Sequence, residues 1–415
     1  CSPCPASEPH RWCTWGAAGA GSLEDPASSY WDHQEHKEVQ AWARRLAVAD
    51  CSPTGGLSLT SEDVPKALDY VHKDLICSAL RTNQSVRCLT IGDVGPHAER
   101  LLAEAASHAA SSQRLLEVKF LGDQADDSLA RLLGMLLRPV WATPPQLRRL
   151  TIAHPRRNYL TDQGGIPLVQ ALEENTKLQS LVLFGSRLGD GTAWALSNAL
   201  EHNFSLQTLV FFGKRITGSG VASLASVVRD GRCNLREFVL GGTDFQDEEA
   251  CDLVRAVATA QRGVPATPSP PVASDAEEVG ERRPPSRPLR KFGLVNATLG
   301  IDVARVAAAA NLFASGLTEV TLVLGRACDE GAAILANAIG ALSEEASDAA
   351  RAATTYTSRL STLRLALGAA GDTGLANLEA AWAKSGSVLE RLDLVVGGAT
   401  NDAISRVATV AGASA

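Results

Sequence analysis

Apolar residues recur along this chain in a fixed phrase: one apolar residue, two variable ones, an apolar one, one variable and a third apolar one. The plainest copies are "LQSLVL" from Leu178 and "LQTLVF" from Leu206, 28 residues apart. Followed in both directions, the phrase opens at Val86, Leu115, Leu147, Leu178, Leu206, Leu235, Leu289, Leu317, Leu360 and Leu389, with a degenerate copy at Leu57 and Leu59. Its alternating second half predicts a short strand. Between strands the period lengthens. After Leu183, Leu188, Trp194, Ala195, Leu196, Ala199 and Leu200 fall on one helical stripe, and Ile216, Val221, Leu224, Val227 and Val228 repeat it after Phe211. Asp162, Asp190, Thr217, Asp329 and Asp372 stand where these helices begin, as short acceptors able to cap exposed amides.

Each unit is therefore one strand and one helix, and it cannot cover its own apolar edges without a neighbour on both sides. Stacking supplies the neighbours. The expected fold is an α/β solenoid, a horseshoe arc with a parallel sheet on the concave face and the wider helices on the convex face. Two intervals exceed the usual 28 to 32 residues. The 54-residue interval holds residues 261–288, rich in Pro, Ser and charge, a composition that reads as a disordered insert. The 43-residue interval holds residues 342–359, able to lengthen a helix. Insertions in repeat proteins belong at such connections. The chain divides into an N-terminal arm and capping helix, 1–53, and a repeat domain of about ten units, 54–415. The arm carries Trp12, Trp15, Trp31 and Trp42, and "EHKEVQAWARRLAV" places Val39, Trp42, Ala43 and Leu46 on one helical face. That helix is expected to close the open end of the stack, a partner-binding arm being the alternative.

The units "KLQSLVLFGSRLGDGTAWALSNALEHN" and "SLQTLVFFGKRITGSGVASLASVVRDG" resemble leucine-rich repeats of the ribonuclease-inhibitor type, whose repeats often close on A-L-x-x-N. Here that closure is "ALRTN" at Ala79 to Asn83, "ALEEN" at Ala171 to Asn175 and "ALEHN" at Ala199 to Asn203. Two departures matter. The Asn or Cys that the family places in the loop after each strand is replaced by Ser186, Lys214, Thr243 and Gly368, so that side-chain ladder is largely missing. The last four copies are rich in Ala and Gly and are expected to pack less firmly.

Composition changes the picture little. With 45% hydrophobic and 20% charged residues the chain has an ordinary globular balance. A net charge of −7 disfavours nucleic-acid binding through a broad positive field. No apolar run approaches the ~18 residues of a membrane span. The nine cysteines are too sparse for a disulfide scaffold, and Cys51, Cys88, Cys233, Cys251 and Cys328 read as small buried hydrophobes of a reducing, cytoplasmic setting. The chain opens on Cys1 and shows no secretory signal, which leaves room for an upstream segment. Sequons at Asn83, Asn203 and Asn296 are about as many as chance gives. Cys1, Cys4, His10 and Cys13 form two ligand pairs, but their spacing matches no zinc finger, and no metal or cofactor is expected.

Catalytic motifs are absent. "FFGKRI" lacks the remaining residues of a phosphate-binding loop, no H-E-x-x-H or G-x-S-x-G occurs, and His154 and His202 stand isolated. The informative positions are those that a strand points away from the core. Val182, Val210 and Val239 occupy that place in three consecutive copies, and Phe184 and Phe212 follow two residues on. Alternation puts all five on the concave side, an apolar patch of the kind that marks association sites. The alternative is that both Phe side chains turn inward under the loop. Arg148, Arg149, Arg156 and Arg157 flank the patch on one side, Glu237 and Glu319 on the other. The expectation is a non-enzymatic scaffold that binds another protein through its concave face, as the resemblance implies. A GTPase-activating protein like the Ran activator, or a structural subunit of a large assembly, is the alternative.

Overall fold

A computed structural model describes residues 33–49, 56–60, 62–92, 94, 98, 101–102, 104, 115–122, 126–138, 146–153, 159–262, 288–352, 360–385 and 389–398. Among the described residues eleven strands form one sheet in chain order, every neighbouring pair parallel. They are β1 (Gly56–Leu59), β2 (Cys88–Ile91), β3 (Glu117–Phe120), β4 (Arg149–Ile152), β5 (Ser180–Gly189), β6 (Thr208–Arg215), β7 (Glu237–Gly241), β8 (Lys291–Asn296), β9 (Glu319–Leu324), β10 (Thr362–Leu367) and β11 (Arg391–Val396). The helices are α1 (His33–Val48), α2 (Lys73–Thr82), α3 (Asp127–Leu137), α4 (Asp162–Glu174), α5 (Asp190–His202), α6 (Gly218–Arg229), α7 (Asp247–Gln261), α8 (Ile301–Ala309), α9 (Asp329–Ala352) and α10 (Asp372–Ser385). Parallel neighbours need a crossover, and helices fill that role. The result is a leucine-rich-repeat solenoid, with the sheet on its concave side and the helices on its convex side.

Register carries the apolar phrase unbroken from one copy to the next. Leu150 faces Leu181, then Leu209, Phe238, Phe292, Val320, Leu363 and Leu392 across successive strands, and all but Leu392 are fully buried. A slip of one residue would turn each strand's apolar set toward solvent, at about 1.5–3 kcal/mol for every large side chain moved. The long interval before Leu289 leaves this row intact, since β7 and β8 pair without a shift.

Two polar ladders join the repeats. Asparagines of the A-L-x-x-N closures are buried: Asn203 donates to the carbonyls of Leu172 and Asn175 in the preceding unit and accepts from the amides of Ser205 and Leu206 in its own. Asn83 and Asn175 repeat the arrangement. The second ladder corrects an expectation. Asp162, Asp190 and Asp329 are first residues of their helices, and their carboxylates reach forward to the next repeat. Asp162 accepts from the amides of Gly189 and Thr192. Asp190 accepts from the amides of Thr217 and Gly220 and from the hydroxyls of Thr217 and Ser219. Asp329 accepts from the amides of Gly371 and Gly374. Each therefore caps the start of the following helix.

Where the family's loop ladder is missing, backbone replaces side chain. A Cβ on Gly325 would lie 2.0 Å from the carbonyl oxygen of Ala297, and one on Gly368 would lie 2.3 Å from that of Gly325. Successive turns pack backbone against backbone, so glycine at these positions is required by close approach.

The α1 helix lies against α2 and buries Val39, Trp42, Ala43 and Leu46. Other expectations need correction. Trp194 is 61% exposed, because on the Ala-rich α5 the seam is narrow and the indole falls just outside it. Of the cysteines read as buried, Cys251 is so, and burial pushes its thiol up to about 11, but Cys88 and Cys233 are half-buried and Cys328 is exposed. Cys51, the residues 1–32 with Cys1, Cys4, His10, Cys13, Trp12, Trp15 and Trp31, and most of the insert 261–288 lie outside the described residues. The second insert, 342–359, is helical through Ala352, and its last seven residues lie outside them too.

Candidate interaction surface

On the concave face the strands carry rows of side chains that cross the sheet. In one row Val182, Val210 and Val239 are direct register partners, followed by Gly293, Thr321, Arg364 and Asp393. In the next row Phe184 pairs with Phe212, then Gly241, Val295, Val323, Ala366 and Val395. The five candidate residues Val182, Phe184, Val210, Phe212 and Val239 therefore form one contiguous cluster over β5, β6 and β7. All five are half-buried, whereas the intervening Leu181, Leu183, Leu209, Phe211, Phe238 and Leu240 have no exposure.

Both phenyl rings lie on the same side as the valines. They stack with centroids 4.3 Å apart and planes 7° from parallel, so each covers one face of the other. Phe212 also overlies the bare backbone of Gly241, where a Cβ would come within 2.1 Å of the ring. Val239 similarly leans over Gly293, where a Cβ would meet it at 2.9 Å. Two glycines thus let the bulky side chains lie down along the sheet, giving a low apolar shelf. What these glycines admit was not readable from the sequence, since a glycine in a strand reveals close approach without saying of what.

A third row holds the flanking charges. Arg149 is exposed and pairs with Glu117 at 3.4 Å, and Lys119 pairs with the same carboxylate at 3.1 Å. Burial works to raise the pKa of Glu117, but the hydrogen bond and charge of Lys119, with the charge of Arg149, hold it below the usual range. Glu237 accepts a long hydrogen bond, 3.5 Å, from the hydroxyl of Thr208 and pairs in register with Lys291. Glu319, the other expected acid, bonds Lys291 and Arg364, and Arg364 and Arg391 share Asp393. Over β8 to β11 three cations thus share two carboxylates in a chain of ion pairs. Of the basic residues expected on the other flank, Arg148 is exposed, while Arg156 and Arg157 lie outside the described residues.

Three further cations stand where β5 and β6 end. Arg187, Lys214 and Arg215 are exposed, and no ion pair is formed by any of them among the described residues. They lie two or three residues beyond the stacked rings, in "FGSR" and "FGKR". The repeated phrase displayed them, but their relation to the rings depends on both strands running on past the phenylalanines.

Among the described residues no group of three metal-ligating side chains occurs, and no helix is long and apolar enough to cross a membrane. No family model and no curated protein matches the chain. Among solved structures it is similar to a chain of the Rad7–Elc1 complex in yeast, at 13% identity and a TM-score of 0.42, with 94% of this chain and 96% of that one covered. It is also similar to actin-binding site 2 of leiomodin-1, at 18% identity and a TM-score of 0.24; 32% of this chain is covered, and the chain spans 63% of that one.

Proposed function

We propose that the chain is a non-enzymatic scaffold that recognises another protein through the concave face of its repeat arc, with Val182, Phe184, Val210, Phe212 and Val239 as the apolar centre and Arg149 and Glu237 beside it. The observation that supports this reading is the half-exposed shelf over β5 to β7, set on strands whose opposite faces are fully buried. Aromatic anchors in an apolar centre with a charged rim are the arrangement from which protein interfaces draw affinity and approach rate. The stacked pair enters such an interface already ordered, so little side-chain freedom remains to be lost on binding.

Affinity capture with the wild-type chain and with a Phe184→Ser/Phe212→Ser variant tests it. The expected result is a set of bound proteins held by the wild type and lost from the variant, with circular dichroism unchanged. Equal recovery by the folded variant would remove the shelf from the interface.

A further inference from the structure

The shelf restricts what can lie on it, and this inference rests on the reading above. Its apolar residues line up across the strands. A ligand following them therefore runs perpendicular to the strand direction. Neighbouring strands are about 4.8 Å apart, close to the 5.4 Å pitch of an α-helix. Apolar residues on successive turns of a helix meet Phe184 and Phe212, whose ring covers Gly241, and Val295 and Val323 continue the row.

An extended peptide on the same path is disfavoured. The strands from β5 to β9 are each paired on both sides, so their backbone groups are committed to the sheet. Over Val182, Val210, Val239 and the rings, such a peptide would bury its own amides and carbonyls without partners. A helix satisfies those groups internally.

Charge selects the helix further. Beyond the rings lie Arg187, Lys214 and Arg215, exposed and without ion pairs among the described residues, whereas Lys291, Arg364 and Arg391 over β8 to β11 are engaged by Glu319 and Asp393. The acids at the same strand ends, Asp162 and Asp190, are taken up by amides and hydroxyls of the following repeats and leave these three cations without an ion pair. The whole chain carries a net charge of −7, so this patch is a local reversal of its field. We propose that the shelf is the docking site for an acidic amphipathic α-helix of a partner protein, laid across β5 to β9 with its apolar stripe on the Phe184–Phe212 stack and its carboxylates toward Arg187, Lys214 and Arg215.

The probe is a synthetic amphipathic peptide of about sixteen residues, long enough for four turns, with leucines on one face and glutamates beside them. Its comparators are a version with lysine for every glutamate and one broken by two central prolines. Fluorescence anisotropy at low salt should show the acidic helix bound about tenfold tighter than either comparator, and Arg187→Glu/Arg215→Glu should remove that preference. These positions are exposed, so the variant keeps the fold, which circular dichroism verifies. Equal or tighter binding of the lysine or proline peptide, or no binding by any of the three, overturns the assignment. If the assignment fails while Phe184→Ser/Phe212→Ser still abolishes protein capture, the shelf remains an interface for a partner of another shape. If capture is also unchanged, the recognition reading fails with it.

Discussion

The ring of Phe212 lies across Gly241 in the adjacent strand, so close that a single methyl group there would sit 2.1 Å from its edge. The two residues share a register position, and the ring fills the space a side chain would occupy.

Gly241→Ala should therefore lift Phe212 from the sheet and disturb its stack with Phe184. The cost expected for overpacking is about 1–3 kcal/mol, read as a lower urea midpoint with an unchanged denaturant slope. A variant as stable as wild type would mean that the ring yields freely and that the shelf is not preorganised.

The carboxylate of Asp190 gathers two amides and two hydroxyls from the following repeat. Asp190→Ala leaves the amides of Thr217 and Gly220 without this acceptor and is expected to cost about 1–3 kcal/mol. In an array whose units touch only their neighbours, the loss should appear first as faster amide exchange at the start of α6. Burial tends to raise the pKa of Asp190, but hydrogen bonds from Thr217, Ser219 and Gly220 outweigh it and hold the pKa below the ordinary 3.8. The folded state thus binds this proton less readily than the unfolded chain. Its contribution is complete above about pH 4 and fades as pH falls through the folded value, and Asp190→Asn should flatten that part of the acid-unfolding curve.

His72 is buried between α1 and α2, with its Nε2 3.0 Å from Nδ1 of His36, while its own Nδ1 accepts from the amide of Asp69. With its Nδ1 accepting, His72 carries its proton on Nε2 and donates it to His36. Burial, followed by the charge of His36, depresses the pKa of His72 below 6.5. The unfolded chain takes up the proton first, so stability is full above about pH 6.5 and declines as pH falls from there toward the folded value. Thermal unfolding of wild type and His72→Gln between neutral pH and pH 5 checks this. The slope should be smaller in the variant; identical slopes would assign the titration elsewhere.

The solenoid and its register were legible because a strand with one face in the core repeats every second residue, and ten copies of that constraint reinforce one another. The same alternation placed Val182, Phe184, Val210, Phe212 and Val239 on one side. What stayed hidden depends on distances between repeats. Asp162 and Asp190 at helix starts are equally compatible with capping their own helix or the next, and only the stacking distance decides. Trp194 sits at the edge of a stripe that alanines make narrow, where a turn of a few degrees separates core from solvent. Arg187, Lys214 and Arg215 acquire meaning only once Phe184 and Phe212 are known to stack beside them.

The seamless pairing of Phe238 with Phe292 has a practical corollary. Closing a longer connection costs only about 0.6 kcal/mol for each doubling of its length, whereas the β7–β8 and α7–α8 contacts hold the two sides together over a continuous core. A chain severed between Arg262 and Pro288 should thus behave as two complementary fragments that reassemble along this seam, making the junction a natural place to split the protein for a reconstitution reporter.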